Sequence, residues 1–413
     1  MMRIATLPAG DPVHRYDQCL VVPFAGARRV LSTSPMNGGY REDLTAVFNN
    51  DMNPGPGMAC RMLAPTYGEH LTAMARELGL DPETSSGIST SASMEHVSIR
   101  TESFEALSVT AVVTGGIEVN GGRAGDPAAW YEAEQKAVPL REGTINILLF
   151  FNTDLTPGAM ARALVTCTEA KTAALQELLA PSRYSMGLAT GSGTDGTIVV
   201  CNAEAEICLT DAGKHSKLGE LIGKAVKQAV KEALRLQTGL SGEYQHQVLR
   251  RTDRFGITEQ SLWEDYRKQQ GKMSRADYSD RLYTVGRRGE LVTAVSLYVH
   301  LLDQLIWELL SPQETYQMGR KILGIIKGRH GEEPEQLPDR EAVLERMIRE
   351  EKDAREGGEK KKPKREGGRG RLTARLPPFF IQRKEERHKW DRAVPHPVSW
   401  PLLYLQPPAV FPW

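Results

Sequence analysis

The chain holds five cysteines, Cys19, Cys60, Cys167, Cys201 and Cys208, and no two of them form a C-x-x-C pair. An odd number without such pairs argues against a disulfide framework and a zinc ribbon, so a reducing cytoplasm is the expected compartment. Net charge is lacking as well. Lys plus Arg and Asp plus Glu both total 52, which removes any global electrostatic case for nucleic acid or an anionic membrane as partner. The first residues carry no continuous apolar h-region, and no apolar run approaches the roughly 18 residues of a spanning helix. The stretch GELVTAVSLYVHLLDQLIWELL at 289–310 comes nearest, but Glu290, His300, Asp303 and Glu308 interrupt it; it is expected to pack on the first domain or on another copy of the chain. Missing too are the Gly-Lys-Ser/Thr ending of a P-loop, the H-E-x-x-H of a zinc hydrolase and a G-x-S-x-G nucleophile elbow.

What is present is ample apolar material, 40% of 413 residues, enough for one large or two ordinary domains. Before residue 240 the runs CLVVPF, RRVLSTS, HVSIRT, ALSVTAVVT, TINILLFF, TIVVC and EICLT read as strands, short, β-branched or aromatic, and bounded by Gly, Asn, Asp or Pro. Three helices interrupt them: one over 68–78, one from Pro157 with Thr156 as N-cap, and one over 216–236 closed by Gly239. In the third helix Leu218, Leu221, Ile222, Ala225, Val226, Ala229, Val230, Ala233 and Leu234 recur at three- and four-residue spacing, so one face packs on a sheet. Adjacent strands with short turns indicate hairpins rather than strict β/α alternation. The fold class is therefore α+β, a mixed, largely antiparallel sheet or sheets covered by helices, in a domain over 1–240. A helical extension over 241–330 follows, then a charged tail over 331–413, expected to be disordered because its few apolar residues cannot offset the entropy of ordering. The KKKPKR cluster at 360–365 is read as solvated rather than as a polyanion site.

Three glycine-rich stretches draw notice. SPMNGGYRED (34–43) and VNGGRAGDPAAWYE (119–132) each contain Asn-Gly-Gly, a turn former; TGSGTDGT (190–197) leads into a strand, so it offers no helix N-terminus to an anion. Their polar residues Asn37, Asn120, Arg123, Asp126, Thr190, Thr194 and Asp195 exceed what a turn requires and suit an amide-rich ligand. The helix segment ALVTCTEAKTAAL (163–175) is small or apolar around most of its circumference, which implies burial on more than one side, yet it carries Glu169 and Lys171. Two residues apart, these side chains point about 200° away from each other and cannot pair mutually. Each needs its own partner or task. A structural ion pair is one option, Glu169 with Arg162; an acid/base role for Glu169 and ligand anchoring by Lys171 is the other. His215 sits at the entrance of the third helix, and SSGISTSASM (85–94) supplies hydroxyls without a nucleophile motif.

Taken together, LSTSPMNGG, ISTSASMEHVSI, VTAVVTGGIEVNGGRAGDP, GTINILLFFNTDLTPGAMARALVTCTEAKTAAL, ATGSGTDGTIVV and GKHSKLGELIGKAV, in order across about residues 20 to 235, resemble the adenosylcobinamide amidohydrolase family of cobalamin salvage. The resemblance implies hydrolysis of the amide joining aminopropanol to the corrin ring of adenosylcobinamide, giving adenosylcobyric acid. It implies a small-molecule corrinoid partner and no resident cofactor, cobalt entering only with the substrate. On this reading Asp195 or Glu169 activates water, His215 protonates the leaving amine, and Asn146 with loop amides holds the oxyanion. Asn37, Gly38, Gly39, Thr90, Asn120, Arg123, Asp126, Lys171, Thr190 and Thr194 are the expected substrate contacts. Two alternatives from other classes stand beside it: a corrinoid binder without hydrolysis, and a metal-dependent amidase of another small amide.

Overall fold

Each of two βαβ units contributes the parallel pair of one sheet, and the two sheets face each other. The computed structural model describes residues 2–53, 62–128, 130–131, 136–137, 143–326 and 346–349; the 360–365 cluster, the rest of the charged tail beyond 349, Cys60 and parts of the 119–132 stretch lie outside the described residues.

The first sheet has the order β1 (Met2–Thr6), β2 (Pro12–Tyr16), β3 (Cys19–Pro23), β6 (Ala46–Asp51), β7 (Ser85–Thr90), antiparallel except for the parallel β6–β7 pair. Helix α1 (Tyr67–Glu77) connects that pair, started by a Thr66/Glu69 capping box. The second sheet runs β5 (Gly39–Arg41), β4 (Arg28–Ser32), β16 (Gly196–Asn202), β13 (Thr144–Phe151), β9 (Leu107–Gly116), β8 (Ser98–Phe104). Only β13–β16 is parallel, and α2 (Pro157–Glu177) joins it. Two-residue pairs complete the strands: β10 (Gly121–Gly122) with β15 (Gly191–Ser192), β11 (Trp130–Tyr131) with β12 (Lys136–Ala137), and β14 (Asp154–Leu155) with β17 (Cys208–Leu209). The fold is thus a mixed α/β arrangement rich in antiparallel pairing, in line with the α+β expectation.

Strand alternation sorts the core into layers. Leu148 and Phe150 of β13 and Ile198 and Val200 of β16 point at Val13, Leu20, Val22, Val47 and Ile88 of the first sheet. Their neighbours Ile145, Ile147, Leu149, Phe151, Val199 and Cys201 point the other way, onto α2 and α3 (Lys217–Thr238). On the outer face of the first sheet, Cys19, Val21 and Phe48 pack on Leu71, Met74 and Ala75 of α1. Helix, sheet, sheet and helix pair follow in that order.

Thr156 caps α2 by accepting from the Ala159 N–H, Ser216 caps α3 from the Gly219 N–H, and Gly239 closes α3 at φ 76°, as the spacing predicts. One expectation for α2 fails. It is buried on a single face, through Ala159, Met160, Ala163, Thr166, Cys167, Ala170, Lys171, Ala174 and Leu175, while Arg162, Val165, Thr168 and Glu169 are exposed. Small side chains on the outer face imitated all-round burial. The Asn37-Gly-Gly and Asn120-Gly-Gly stretches are not tight hairpin turns either: the first ends a six-residue connection (33–38) from β4 to β5, and the second carries β9 into the short β10–β15 pair.

After α3 come α4 (Val248–Thr252), α5 (Glu259–Lys268), α6 (Arg275–Gly286), α7 (Gly289–Ile306) and α8 (Pro312–Ile326). Val292, Val295, Tyr298, Leu302 and Leu305 of α7 build a core of their own with Tyr316 and Leu323 of α8, which is what the 289–310 stretch does. Polar ties hold this region to the end of α2 and the loop after it: Gln245 Nε2 donates to the Leu178 carbonyl at 2.7 Å, and Arg183 pairs with Asp253. Among the described residues no helix is long and apolar enough to cross a membrane.

Candidate functional site at the polar end of the two sheets

The C-terminal ends of β6, β7 and β9 and the N-terminal ends of β13 and β16 meet at one end of the sheet pair, and polar residues replace apolar ones there. Asn146, on the inner face of β13, is 1% exposed. Its Nδ2 donates to Asn49 Oδ1 at 2.8 Å and to the Ser89 carbonyl at 3.0 Å, and its Oδ1 accepts from the Gly196 N–H at 3.1 Å. Asn49 Nδ2 in turn donates to Thr114 Oγ1 at 2.8 Å. The amide therefore stitches β6, β7, β13 and β16 together. Both N–H groups of Asn146 are engaged in this network.

Behind this network lies the buried ion pair of Lys171 and Asp195, with side chains 11% and 10% exposed. Asp195 also accepts from the Ser192 N–H (3.0 Å), Ser192 Oγ (2.7 Å) and the Ile145 N–H (2.8 Å). A carboxylate offers about four lone-pair sites, and Lys171 with these three donors fills them. Asp195 is consequently a clamp that fastens the 190–197 loop to α2 and to the start of β13. The packing needs Gly191: a Cβ there would stand 2.3 Å from Asp195 Oδ2 and 2.9 Å from Lys171 Nζ.

The other loop residues singled out from sequence hold the loops to each other. Asn120 Nδ2 donates to the Gly143 carbonyl at 2.8 Å while its Oδ1 accepts from Tyr184 at 2.7 Å. Asp126 accepts from the Arg123 N–H and from Ser182, and Arg123 donates to the Leu188 carbonyl. Thr190 Oγ1 accepts from the Ala124 N–H, and Thr194 Oγ1 donates to the Gly143 carbonyl. Asn37 takes the left-handed φ of 51° and donates to the Pro82 and Ser85 carbonyls, at the start of β7 rather than at its Ser89 end. Beside it a Cβ on Gly38 would meet the Ser34 carbonyl at 2.0 Å, and Gly39 has φ 78°. Thr90 Oγ1 accepts from the Ala92 N–H in a local turn. Excess polarity here serves loop structure first.

Two expected catalytic groups stand apart. Glu169 lies on the exposed face of α2 and pairs with Lys214 at 2.8 Å, not with Arg162, with both side chains about half exposed. His215 is exposed in the turn before α3. As the 200° separation requires, Lys171 and Glu169 find separate partners. Exposed pairs contribute about 0.2–1 kcal/mol, so Glu169→Ala and His215→Ala are expected to shift stability by less than about 1 kcal/mol and to leave turnover unchanged, as denaturant titration and steady-state rates would reveal.

A cavity of about 380 Å³ opens between α1 and the ends of β3 and β6, lined among others by Gln18, Cys19, Asn50, Asp51, His70 and Glu77. His70 is 1% exposed. The Leu63 N–H donates to its Nδ1 at 3.1 Å, which leaves the ring proton on Nε2, 3.2 Å from Asn50 Oδ1 and 3.4 Å from Ser89 Oγ. In that tautomer His70 cannot take a proton from Ser89, so a Ser–His nucleophile pair is not formed. Burial holds the His70 imidazole below its usual pKa, against the weaker pull of Glu77. Burial likewise raises the Asp51 carboxyl to about 6, opposed by the hydrogen bond from the Asn53 N–H, and the Cys19 thiol to about 11. Perturbed groups gathered around a cavity mark a functional site.

Sequence reasoning did not find this cavity. A signal was available: AVFNND ends a fully buried strand on three consecutive polar residues, of types depleted in strands. Among the described residues no group of three or more His, Cys, Asp or Glu could hold a metal ion.

A polar, amide-rich end on a two-sheet scaffold is the setting in which the comparisons with known proteins fall. The family model for adenosylcobinamide amidohydrolase matches residues 4–242, more than half of the chain and the two-sheet region apart from the first residues of β1. The chain belongs to the adenosylcobinamide amidohydrolase family. It is 36% identical over 226 residues to the uncharacterized protein MJ1613 of Methanocaldococcus jannaschii, covering 52% of this chain and 85% of that one. It is 28% identical over 243 residues to the adenosylcobinamide amidohydrolase of Methanosarcina mazei, covering 56% of this chain and 98% of the relative. Among solved structures, the PH0078 protein of Pyrococcus horikoshii aligns at 15% identity over 56% of this chain and 82% of its own, with a TM-score of 0.27, a superposition too loose to bear on the fold.

Proposed function

We propose that the protein hydrolyses the amide bond between aminopropanol and the corrin ring of adenosylcobinamide, releasing adenosylcobyric acid for cobalamin synthesis. The observation that carries this reading is the family match over 4–242. The cavity supports it. Its roughly 380 Å³ is at the low end of the roughly 300–1,000 Å³ of small-molecule pockets, room for one amide arm and not for a corrin macrocycle with its side chains. The macrocycle then lies outside, with the aminopropanol arm inserted. The clamp formed by Lys171 and Asp195 keeps the glycine-rich loops in place at the same end of the sheets. No resident cofactor enters the reaction as we write it, cobalt coming with the substrate, and we place the protein in the cytoplasm.

Incubation of purified protein with adenosylcobinamide, followed by mass spectrometry, tests the reading. Free aminopropanol and adenosylcobyric acid are expected. Saturable corrinoid binding without either product would leave a binding protein, and activity lost to a chelator and restored by zinc or manganese would point to a metal-dependent amidase.

A further inference from the structure

We propose that Asp51 is the general base of this site, taking a proton from the water that attacks the amide carbonyl of the inserted arm. The inference rests on the amide-hydrolysis reading and names the residue that performs it.

Four aspartates are buried among the described residues: Asp11, Asp51, Asp154 and Asp303. Three have an arginine partner, Asp11 with Arg28, Asp154 with Arg29, and Asp303 with Arg254. Among the described residues Asp51 has no cation partner and accepts one hydrogen bond, from the Asn53 N–H to Oδ1 at 2.8 Å. A buried carboxylate is costly without a partner, so its retention in a cavity wall calls for a chemical task. Asp195, by contrast, has all its lone pairs occupied. Burial also raises the Asp51 carboxyl to about 6, close to the neutral range in which a base both loses its proton and accepts another.

Beside Asp51, Asn50 Nδ2 donates to Cys19 Sγ at 3.5 Å and to the Asp51 carbonyl at 3.2 Å, and Ser89 Oγ sits 3.4 Å from Asn50 Oδ1. In the reaction the water oxygen bonds to the amide carbon as Asp51 Oδ2 takes its proton, and the carbonyl oxygen becomes an oxyanion. The carbon–nitrogen bond then breaks as Asp51 returns the proton to the departing nitrogen. One water is consumed, and a carboxylic acid and a primary amine leave.

The other titratable groups lining the cavity are Tyr16 and Asp17 at the end of β2, Cys19 on β3, and His70 and Glu77 on α1. None is a cation at neutral pH: burial disfavours the charged form of His70 and of the Cys19 thiol. Wild-type kcat/KM is therefore expected to rise through about pH 6 and to level off above it, because the base must be deprotonated in the free enzyme.

The test pairs this profile with Asp51→Asn, assayed on the full chain with adenosylcobinamide. The substitution is expected to lower kcat by about 10²- to 10⁴-fold while corrinoid binding, followed by absorbance, persists. Stability gives a second readout. The fold raises the pKa of Asp51, so its carboxyl favours folding at low pH and loses that contribution as pH rises through about 6. Asp51→Asn should accordingly melt higher than wild type at pH 8 and equally at pH 4. Wild-type turnover by the variant, or a wild-type profile flat from pH 5 to 8, would overturn the assignment while leaving the hydrolase reading intact. The profile needs no variant, so the test survives a substitution that fails to fold. A wild-type protein that releases no aminopropanol would remove the function and the base with it.

Discussion

Lys171→Met is expected to lower the unfolding free energy by about 3–5 kcal/mol, the cost of leaving one member of a buried pair without its counter-charge. Asp195 would retain Ser192 and the Ile145 N–H but lose its cation at 10% exposure. The 190–197 loop would loosen from α2, and the site it borders with it, so turnover should fall along with stability. Urea titration at constant m-value measures the first effect. A Lys171→Met/Asp195→Asn double variant should recover part of the lost stability, because it removes the unpaired charge and leaves a side-chain oxygen to accept from Ser192 or the Ile145 N–H. A single-variant loss below about 1 kcal/mol, the range of exposed pairs, would mean that the pair is solvated and clamps nothing.

Asn146→Leu carries the second large effect. Asn49 Oδ1, the Ser89 carbonyl and the Gly196 N–H all lose a partner in a region 1% exposed at Asn146. Each stranded group costs about 1–3 kcal/mol, so a loss of about 3 kcal/mol or more is expected by denaturation. The two effects should not add. Gly196 follows Asp195 directly, so the Asn146 network and the Lys171 clamp share a backbone segment, and a double-mutant cycle would read their coupling. A loss under about 1 kcal/mol, within what surface changes produce, would show that water replaces the amide and that the two sheets are not stitched there.

The helices were legible because their signals are local. Thr156 and Pro157 start α2, Ser216 starts α3 and Gly239 ends it, each through a hydrogen bond or a φ angle fixed by the residue type. The apolar strands β3, β4, β8, β9, β13 and β16 were legible for a similar reason. Strands β6 and β7 were not. AVFNND and SSGIST are buried at every residue, yet more than half of their side chains are polar, and buried polarity in a strand reads as a loop until its partners are known. His70 shares that difficulty: its ring is fixed by Leu63 and Asn50, seven and twenty residues before it, a relation no spacing rule supplies. Sequence reasoning consequently turned to Glu169, Asp195, His215 and Asn146 for catalysis, with Lys171 as a substrate contact, and passed over Asp51, which has no cation partner among the described residues. In the glycine-rich loops, Asn120, Asp126, Thr190 and Thr194 bond to neighbouring loop groups such as the Gly143 carbonyl, Tyr184, Ser182 and the Ala124 N–H.

Turnover of adenosylcobinamide in ¹⁸O-labelled water tests the central claim most directly. Hydrolysis of the aminopropanol amide places one ¹⁸O atom in the new carboxyl group of adenosylcobyric acid and none in aminopropanol. Corrinoid recovered unchanged after saturable binding, or a product labelled anywhere else, would contradict it.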